Sequence, residues 1–225
     1  MTDLTLKIYD QLLQFTLFQG MSRADLMEVV THTKLGFQKF GTAHVVAREG
    51  DACSHLVFLI SGALQSDTES DDHSCRVTES MTAPYVLQPE RLFGMTQRYA
   101  STFRTTADSS FITIDKQEVL LLLETQLVFR LNMINLLAAE THRTSHIAWR
   151  SAPKSLRERL VRYFFSRCLY PAGPKTFHVL MKQIADDLND SRLDISHALN
   201  DMQRDQQLSL HRGRIEIPLL ERLLM

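Results

Sequence analysis

Apolar residues recur with two different periods along the chain. Spacings of three and four residues predict amphipathic helices, at Leu4–Phe18, Arg23–Val30, Lys116–Ile147 and Leu156–Cys168. Between these helices, short β-branched and aromatic runs alternate with turn residues, which predicts strands. The predicted strands are Lys34–Phe40, His44–Ala47, His55–Ile60, Gly62–Asp67, Cys75–Met81, Tyr85–Leu87, Thr102–Ala107 and Ser110–Asp115. Many short strands at this spacing indicate a β-sandwich or roll over residues 1–115, behind two N-terminal helices.

The predicted helix Lys116–Ile147 contains neither proline nor glycine and is rich in leucine. A helix this long and apolar needs a partner, and a second copy of the chain could cover one side of it as in a coiled coil. The side chains predicted to form this dimer contact are Leu127, Leu131, Ile134, Ala138 and Thr141. Pro153 ends the segment, so residues 116–152 are predicted to form a dimerisation helix.

Met181 to Gln206 has the pattern of two short helices joined by a tight turn. Apolar residues recur at helical spacing in both helices, namely Leu180, Ile184 and Leu188 in the first and Ile195, Leu199 and Met202 in the second. Asn189-Asp190 is a turn pair. Ser191 and Asp194 have the spacing of a capping box, as do Ser155 and Glu158. The stretch therefore predicts either a helix-turn-helix or a plain helical hairpin.

A predicted β-hairpin after the second helix favours the helix-turn-helix. Leu208 to Ile217 alternates apolar and polar residues about a turn at Arg212-Gly213, which is the pattern of a basic wing. Residues 153–225 are thus predicted to form a winged helix-turn-helix domain that binds double-stranded DNA. The side chains predicted to reach phosphates and base edges are Lys182, Ser191, Arg192, Ser196, His197, Asn200, Arg212 and Arg214.

Composition and charge fit this interpretation. Residues 1–150 hold 13 Lys plus Arg against 17 Asp plus Glu, whereas residues 151–225 hold 12 against 9, so the C-terminal third is mildly basic. No apolar run reaches the ~18 residues of a membrane helix, and the polar N-terminus does not resemble a signal peptide. The three cysteines, Cys53, Cys75 and Cys168, lie far apart, which indicates a reducing cytoplasm and no metal finger.

The order of these elements resembles the CRP/FNR family of bacterial transcription regulators. LFQGMSRADLMEVV (Leu17 to Val30) is similar to the family's opening segment. Glu49-Gly50-Asp51 followed by HLVFLISGAL (His55 to Leu64) is similar to its strand-turn-strand core. SRLDISHAL (Ser191 to Leu199) lies where the family has its recognition helix. The resemblance implies an α+β fold: a jelly roll (double-stranded β-helix), a long dimerisation helix and a winged helix-turn-helix.

The resemblance also implies a function. It describes a homodimer that binds a two-fold symmetric operator, with recognition helices in successive major grooves about 34 Å apart. RNA polymerase is a further implied partner, and no catalytic activity is implied. Arg192 matches the family's leading arginine, but Leu193 stands where a glutamate or another polar residue is usual, and His197 stands where a second arginine is common. The base preference is therefore expected to differ.

The effector site also departs from the family pattern. Cyclic-AMP-binding members have Gly-Glu followed about ten residues later by Arg-Ser/Thr, which hold the ribose and the cyclic phosphate. The matching residues here are Gly94, Met95, Arg104 and Thr105, and Thr144-Ser145 fall where the family contacts the base. A thioether at Met95 cannot replace a carboxylate. Binding of cyclic AMP in the usual way is therefore not expected, and the effector is not identified.

Several alternatives stay open. A cyclic-nucleotide sensor could use Arg104, Thr105 and Thr144 without the glutamate. Haem could be ligated by a single histidine, for which the candidates are His44, His55, His142 and His146. Redox sensing would fall on Cys53 or on Cys75, which has Arg76 beside it. A cupin-like metalloenzyme is the remote alternative, because the jelly roll has no H-x-H arrangement at His44 and His55. No metal, cofactor or catalytic residue is predicted.

Overall fold

A computed structural model of the chain describes residues 3–145 and 151–224. These residues divide into two compact units. The first unit holds the chain up to Ala63, Thr82–Ala100, and the chain from Arg104 through the helices that follow. The second unit holds Leu64–Met81, Ser101–Phe103 and the chain from Ser151 onwards. This grouping differs from the predicted limits at residues 115 and 152, because Leu64–Met81 groups with the C-terminal segment. The division of the chain into three functional domains stays a prediction.

The first unit begins with helices α1 (Asp3–Leu12) and α2 (Arg23–His32), with a 3₁₀ turn at Thr16–Phe18 between them. The helix predicted to continue to Phe18 therefore ends earlier, at Leu12. Phe15 and Phe18, which follow α1, turn inward onto Phe58, with ring centroids 5.0 and 5.7 Å away. Burying both rings in the core favours a bend in the chain here over a longer helix.

All eight strands predicted in the N-terminal half are present, with ends within two residues of the prediction. They are β1 (Leu35–Phe40), β2 (Val45–Ala47), β3 (His55–Ser61), β4 (Ala63–Glu69), β5 (Cys75–Thr82), β6 (Tyr85–Val86), β7 (Thr102–Thr105) and β8 (Ser109–Asp115). In the first unit, the order of one sheet is β1-β8-β3-β6, with antiparallel pairs throughout. The turn from β3 to β4 needs Gly62, whose φ is +98° and where a Cβ would lie 2.5 Å from the Asp108 carbonyl oxygen.

The prediction of a single helix over Lys116–Ile147 is wrong. The structure has two helices, α3 (Lys116–Thr125) and α4 (Leu127–Ser145), bent by 113° about Gln126. Gln126 is extended and buried, and its amide Nε2 lies 3.4 Å from a carboxylate oxygen of Glu28. The two helices bury different residues, since α3 buries Val119 and Leu122 while α4 buries other apolar side chains, Phe129 and Met133. Val119, Leu122, Phe129 and Met133 keep the spacing of one continuous helical stripe, so apolar periodicity alone does not reveal the break at Gln126.

The second unit combines the β4–β5 hairpin with the C-terminal segment. Its helices are α5 (Leu156–Ser166), α6 (Met181–Leu188) and α7 (Arg192–Arg204), and its later strands are β9 (Lys175–Val179), β10 (Ser209–His211) and β11 (Arg214–Ile217). Within this unit the strand order is β10-β11-β9-β5-β4, with the start of β7 beyond β4. Strand β9 was not predicted. It pairs antiparallel with β5, from Cys75 opposite Val179 to Glu79 opposite Lys175.

The core of the second unit is built from all of these elements. Phe164 of α5 packs on Phe177 of β9, with ring centroids 4.8 Å apart. The predicted buried residues of the helix pair, Ile184, Ile195, Leu199 and Met202, lie in the same cluster, and so do Cys75 and Val77 of β5. Leu180, predicted as part of the apolar stripe, is instead exposed as the N-cap of α6.

Candidate nucleic-acid interface and sensor loop

The turn between α6 and α7 is held by its own side chains. Asn189 is in the left-handed conformation, with φ of 48°, as its residue type predicts. Ser191 is the N-cap of α7, and its Oγ accepts a hydrogen bond from the backbone N of Asp194 and donates to the Asp194 carboxylate, at 3.1 and 2.6 Å. These contacts satisfy a free backbone N–H group at the start of α7. The predicted helix-turn-helix geometry and its capping residue are therefore present.

Arginines of α5 and of its C-cap hold α6 and α7 through contacts with the turn and the ends of these helices. No sequence pattern predicted these contacts. Arg159 donates to the Leu188 carbonyl oxygen and to the carboxylate of Asp190, at the turn itself. Two further ion pairs join Arg157 to Asp205 at 2.7 Å and Arg167 to Asp187 at 2.8 Å. Such arginine–carboxylate contacts have no short-range sequence pattern, because the partners come from different helices.

These ion pairs change the electrostatics of the helix pair. The sequence places six aspartates in α6, α7 and their flanks, which by themselves would repel a phosphate backbone. The four with an arginine partner are Asp187, Asp190, Asp201 and Asp205. These four ion pairs partly offset the negative charge of the helix pair. Three cations of α6, α7 and the β10–β11 hairpin form no ion pair with a residue that the structure describes, and they are Lys182, Arg192 and Arg212.

The exposed face at the start of α7 carries Arg192, Leu193 and His197, which we call the recognition surface. Ser196 is half-buried on the same face. The side-chain amide of Asn200 donates to the Ser196 carbonyl oxygen at 2.7 Å, so this predicted base-contacting group is already hydrogen-bonded to its own helix. Serine, arginine and histidine occupy the outside of the helix as predicted. Whether they contact bases stays a prediction.

The wing is the hairpin of β10 and β11, with its turn at Arg212-Gly213 as predicted. His211 lies opposite Arg214 across the hairpin. The Arg214 Nε is 3.1 Å from Glu216 and the His211 Nε2 is 3.4 Å from the same carboxylate. Arg212 is therefore the wing cation with no ion-pair partner among the residues the structure describes, and the charge of Arg214 is partly neutralised.

A buried ion pair joins strands β5 and β9 inside the second unit. The Glu79 carboxylate and the Lys175 Nζ are 2.9 Å apart, and their side chains are 0% and 1% exposed. Glu79 also accepts the backbone N–H groups of Leu169 and Tyr170, at 3.0 and 3.1 Å, and Lys175 donates to the Ala172 carbonyl oxygen at 2.8 Å. Both carboxylate oxygens of Glu79 and two of the three N–H donors of Lys175 thus have partners, as such a buried pair needs. Sequence reasoning missed both residues, since they pair only through the β5–β9 register.

The predicted effector residues belong to the first unit, in and after the loop 88–101 that links β6 to β7. Gly94 and Met95 lie on the exposed tip of this loop, and the Met95 side chain is fully exposed. Backbone hydrogen bonds tie the loop to the Glu49-Gly50-Asp51 turn, from Tyr99 to Asp51 and from Gly50 to Tyr99. Arg98 of the same loop donates from its guanidinium to the Gly50 carbonyl oxygen at 2.7 Å. Arg98 was missed, because it is followed by Tyr99 and not by the serine or threonine of the family pattern.

Arg104 and Thr105 lie on strand β7, as the predicted strand Thr102–Ala107 places them. Arg104 is exposed and donates to the Ala43 carbonyl oxygen at 3.2 Å. Thr105 is buried, and its Oγ1 donates to the Gly41 carbonyl oxygen at 2.7 Å and accepts the backbone N–H of His44 at 2.8 Å. This hydroxyl therefore already connects β7 to the turn before β2. Ser145 bonds within α4, to the His142 carbonyl oxygen, and the side chain of Thr144 lies outside the described residues.

A charged cluster near the loop has no counterpart in the sequence motifs. Burial raises the pKa of Glu90, and the neighbouring Glu140 raises this pKa further, while Arg91 and Arg143 oppose the shift. Arg143 forms a 2.6 Å ion pair with Glu140 one turn earlier in α4. These residues surround the end of α4 with partly buried charge, but they do not reproduce the predicted Gly-Glu and Arg-Thr pattern.

The residues proposed for haem or redox sensing have ordinary surroundings. The ring of His44 stacks on Phe40 at 3.9 Å, and His55 lies 3.6 Å from Asp115; His142 is exposed, and His146 lies outside the described residues. All three cysteines are buried, and no disulfide joins any two of them. Burial raises the pKa of the Cys53 and Cys75 thiols. The cation that opposes this rise at Cys75 is Arg167, not the sequence neighbour Arg76.

Within residues 3–145 and 151–224, no group of three or more His, Cys, Asp or Glu side chains is arranged to hold a metal ion. No single helix there is long and apolar enough to cross a membrane, and α3 and α4 meet the length and composition test only as a bent pair.

Residues 37–126 match the family model of the cyclic nucleotide-binding domain. Among solved structures, the sensor domain of the transcriptional regulator DNR from Pseudomonas aeruginosa matches with 17% identity and a TM-score of 0.55, over 69% of this chain and 100% of that one. The Catabolite Activator Protein of Thermus thermophilus matches with 15% identity and a TM-score of 0.50, over 93% of this chain and 96% of that one. No curated protein matches the sequence significantly.

These matches establish the architecture. The chain has an α+β fold with a β-roll of the cyclic nucleotide-binding type, followed by a helix-turn-helix segment, which is the fold of a full-length catabolite activator protein. The resemblance to CRP/FNR regulators that the motifs predicted is therefore confirmed at the level of the fold. At these identities, function is not transferred with the fold.

Proposed function

We propose that this protein is a transcription regulator that binds a two-fold symmetric DNA operator as a homodimer. The observation that carries the proposal is the recognition surface on α7, together with Arg212 on the wing. Arg192 and Arg212 are exposed and free of ion pairs with the residues described, whereas four of the six aspartates of the helix pair and its flanks are paired with arginines. A capped helix that presents such side chains beside a basic wing suits entry into the major groove with the wing against phosphates.

The apolar side of α4 supports the homodimer. Leu127, Leu131 and Ile134 are each about half exposed and lie at spacings of four and three residues, so they form one stripe. Ala138 and Thr141 continue this stripe, although the Thr141 hydroxyl also donates to the Leu137 carbonyl oxygen. A stripe of this kind is stabilised when a second copy covers it. Contact with RNA polymerase remains part of the proposal without a surface assigned to it.

The test is selection of DNA from a random duplex library with the full chain, followed by quantitative binding and sedimentation of the complex. We expect enrichment of an inverted repeat whose half-sites are about one helical turn apart, bound by two copies of the chain. Replacing Leu131 with Glu places charge in the apolar stripe and is expected to give monomers that bind a half-site weakly. If no duplex is enriched, or one chain binds an asymmetric site, the proposal fails.

The match of residues 37–126 favours a second candidate, a regulator that responds to a cyclic nucleotide. Met95 and the engaged hydroxyl of Thr105 do not support the usual mode of cyclic AMP binding. Titration calorimetry with cyclic AMP and cyclic GMP separates the candidates, because a micromolar dissociation constant would establish a nucleotide sensor. We propose neither a catalytic activity nor a metal cofactor, so the metalloenzyme alternative is not carried further.

A further inference from the structure

Leu193 is a large apolar side chain on a polar surface. It is the second residue of α7 and is 64% exposed, next to the exposed Arg192. His197 lies four residues later, which is one turn along the same face of the helix. The buried residues of α7 are Ile195, Leu199 and Met202, so Leu193 does not belong to the core. Nothing in the fold of the second unit requires a leucine here.

The surroundings indicate what covers this side chain. Leu193 lies between Arg192, which has no ion-pair partner among the described residues, and Asp194, whose carboxylate accepts a hydrogen bond from the Ser191 Oγ. The Arg192 charge and the partial positive charge of the first turn of a helix favour a polyanion over an apolar protein surface. Duplex DNA exposes one apolar group on its base edges in the major groove, which is the C5-methyl of thymine. The side chain and this methyl group are complementary.

We propose that Leu193 is a specificity-determining residue that contacts a thymine methyl in each half-site, beside the base pair that Arg192 contacts. This inference rests on the proposed DNA-binding function and names one base of the operator. It predicts that the preference at that position comes from the methyl group alone, because a leucine has no donor or acceptor with which to read the base pair.

The experiment uses the full chain and the duplex enriched by selection. Each thymine of one half-site is replaced in turn by deoxyuridine, which removes the methyl and keeps the base pair. At one position we expect affinity to fall about fourfold, since burying one methyl contributes roughly 0.8 kcal/mol and 1.4 kcal/mol is tenfold. Replacement in both half-sites of a symmetric operator is expected to cost roughly 15-fold.

Two variants make the effect specific to Leu193. Leu193→Ala should bind the thymine and uracil duplexes equally at that position, with the affinity that the wild type has for the uracil duplex. Leu193→Met keeps an apolar side chain of similar size and should keep most of the discrimination. Leu224→Ala is the matched control, because Leu224 is 66% exposed in the same unit but lies in the C-terminal 3₁₀ turn. This control should keep the fourfold effect.

The outcomes separate the inference from the function on which it rests. If DNA is bound but no uracil substitution weakens binding, Leu193 does not contact a methyl group. If a uracil effect persists unchanged in Leu193→Ala, another residue contacts the methyl. Either result overturns the inference and leaves DNA binding intact. If Leu193 instead contacts another protein, Leu193→Ala leaves DNA discrimination unchanged, which also overturns it. If no duplex is enriched, the proposed function fails, and the inference fails with it.

Discussion

The recognition surface and the segment from loop 88–101 into β7 both present arginine and hydroxyl groups, but they use them differently. On the recognition surface, the Arg192 guanidinium has no ion-pair partner among the described residues. In the other segment, Arg98 and Arg104 donate to the backbone carbonyl oxygens of Gly50 and Ala43. The Thr105 hydroxyl is likewise taken up by the backbone.

This difference shows which polar groups are available to a ligand. Hydrogen bonds to the backbone fix the position of a loop and must be broken or shared before the same group can bind a small molecule. A guanidinium that contacts only solvent loses no protein hydrogen bond when it binds a phosphate or a guanine, so its binding costs less free energy. The recognition surface therefore has groups free to meet the proposed DNA partner. Arg104 and Thr105, in contrast, connect strands and turns within the first unit.

The largest expected effect comes from removing a contact on which the second unit depends, the buried pair of Glu79 and Lys175. Glu79→Leu leaves the Lys175 charge buried without a counterion and leaves the backbone N–H groups of Leu169 and Tyr170 without their acceptor. We expect a loss of about 3–5 kcal/mol in the free energy of unfolding, measured by urea denaturation, with loss of amide protection in β9 measured by hydrogen exchange.

Two variants serve as controls for Glu79→Leu. Glu69→Ala removes an exposed glutamate from the same hairpin and should change stability by under about 0.5 kcal/mol. Adding Lys175→Met to Glu79→Leu removes the orphaned charge and should recover part of the loss. A loss below about 1 kcal/mol in Glu79→Leu would show that β5 does not stabilise the helix-turn-helix unit in solution.

The next effect concerns the recognition surface itself. Arg192→Ala should weaken binding to the selected operator by roughly 1–3 kcal/mol and relax base preference at one position in each half-site. The reason is that a bidentate arginine–guanine contact carries sequence information. The measurement is affinity across single-base variants of the operator. Arg204→Ala, at the other end of α7 and paired with Asp201, is the control and should leave the preference unchanged. Equal effects of both substitutions would place the recognition surface elsewhere.

Thr105 provides the corresponding test for the predicted effector segment. Thr105→Val keeps the shape of the side chain but removes the hydroxyl that connects Gly41 and His44, so we expect a loss of about 1–2 kcal/mol in unfolding free energy. Thr106→Val, at an exposed neighbouring position, should have little effect. If Thr105→Val abolishes cyclic nucleotide binding without changing stability, the hydroxyl serves a ligand, and the contrast with the recognition surface no longer holds.

The same contrast explains which features could be predicted from the sequence. The helix caps, the Asn189 turn and the buried residues of α7 depend on neighbours a few positions apart, so local patterns predicted them. The break at Gln126 interrupts a stripe whose apolar spacing continues from α3 into α4, so periodicity could not predict it, and strand β9 exists because β5 pairs with it. Arg159, Glu79 and Arg98 likewise take their roles from distant partners. A motif cannot report such contacts.

The smallest expected effect distinguishes a phosphate contact from a base contact. Arg212→Ala should weaken binding to selected and unrelated duplexes by the same factor, because phosphates carry no sequence information. It should also reduce the slope of log K against log salt by about 1 for each wing that contacts DNA, since one fewer counterion is released. Affinities measured from low to moderate salt give this slope. Arg222→Ala removes the same charge from the C-terminal 3₁₀ turn and should change the slope less. If Arg212→Ala instead alters base preference, the wing enters a groove, and the recognition surface extends beyond α7.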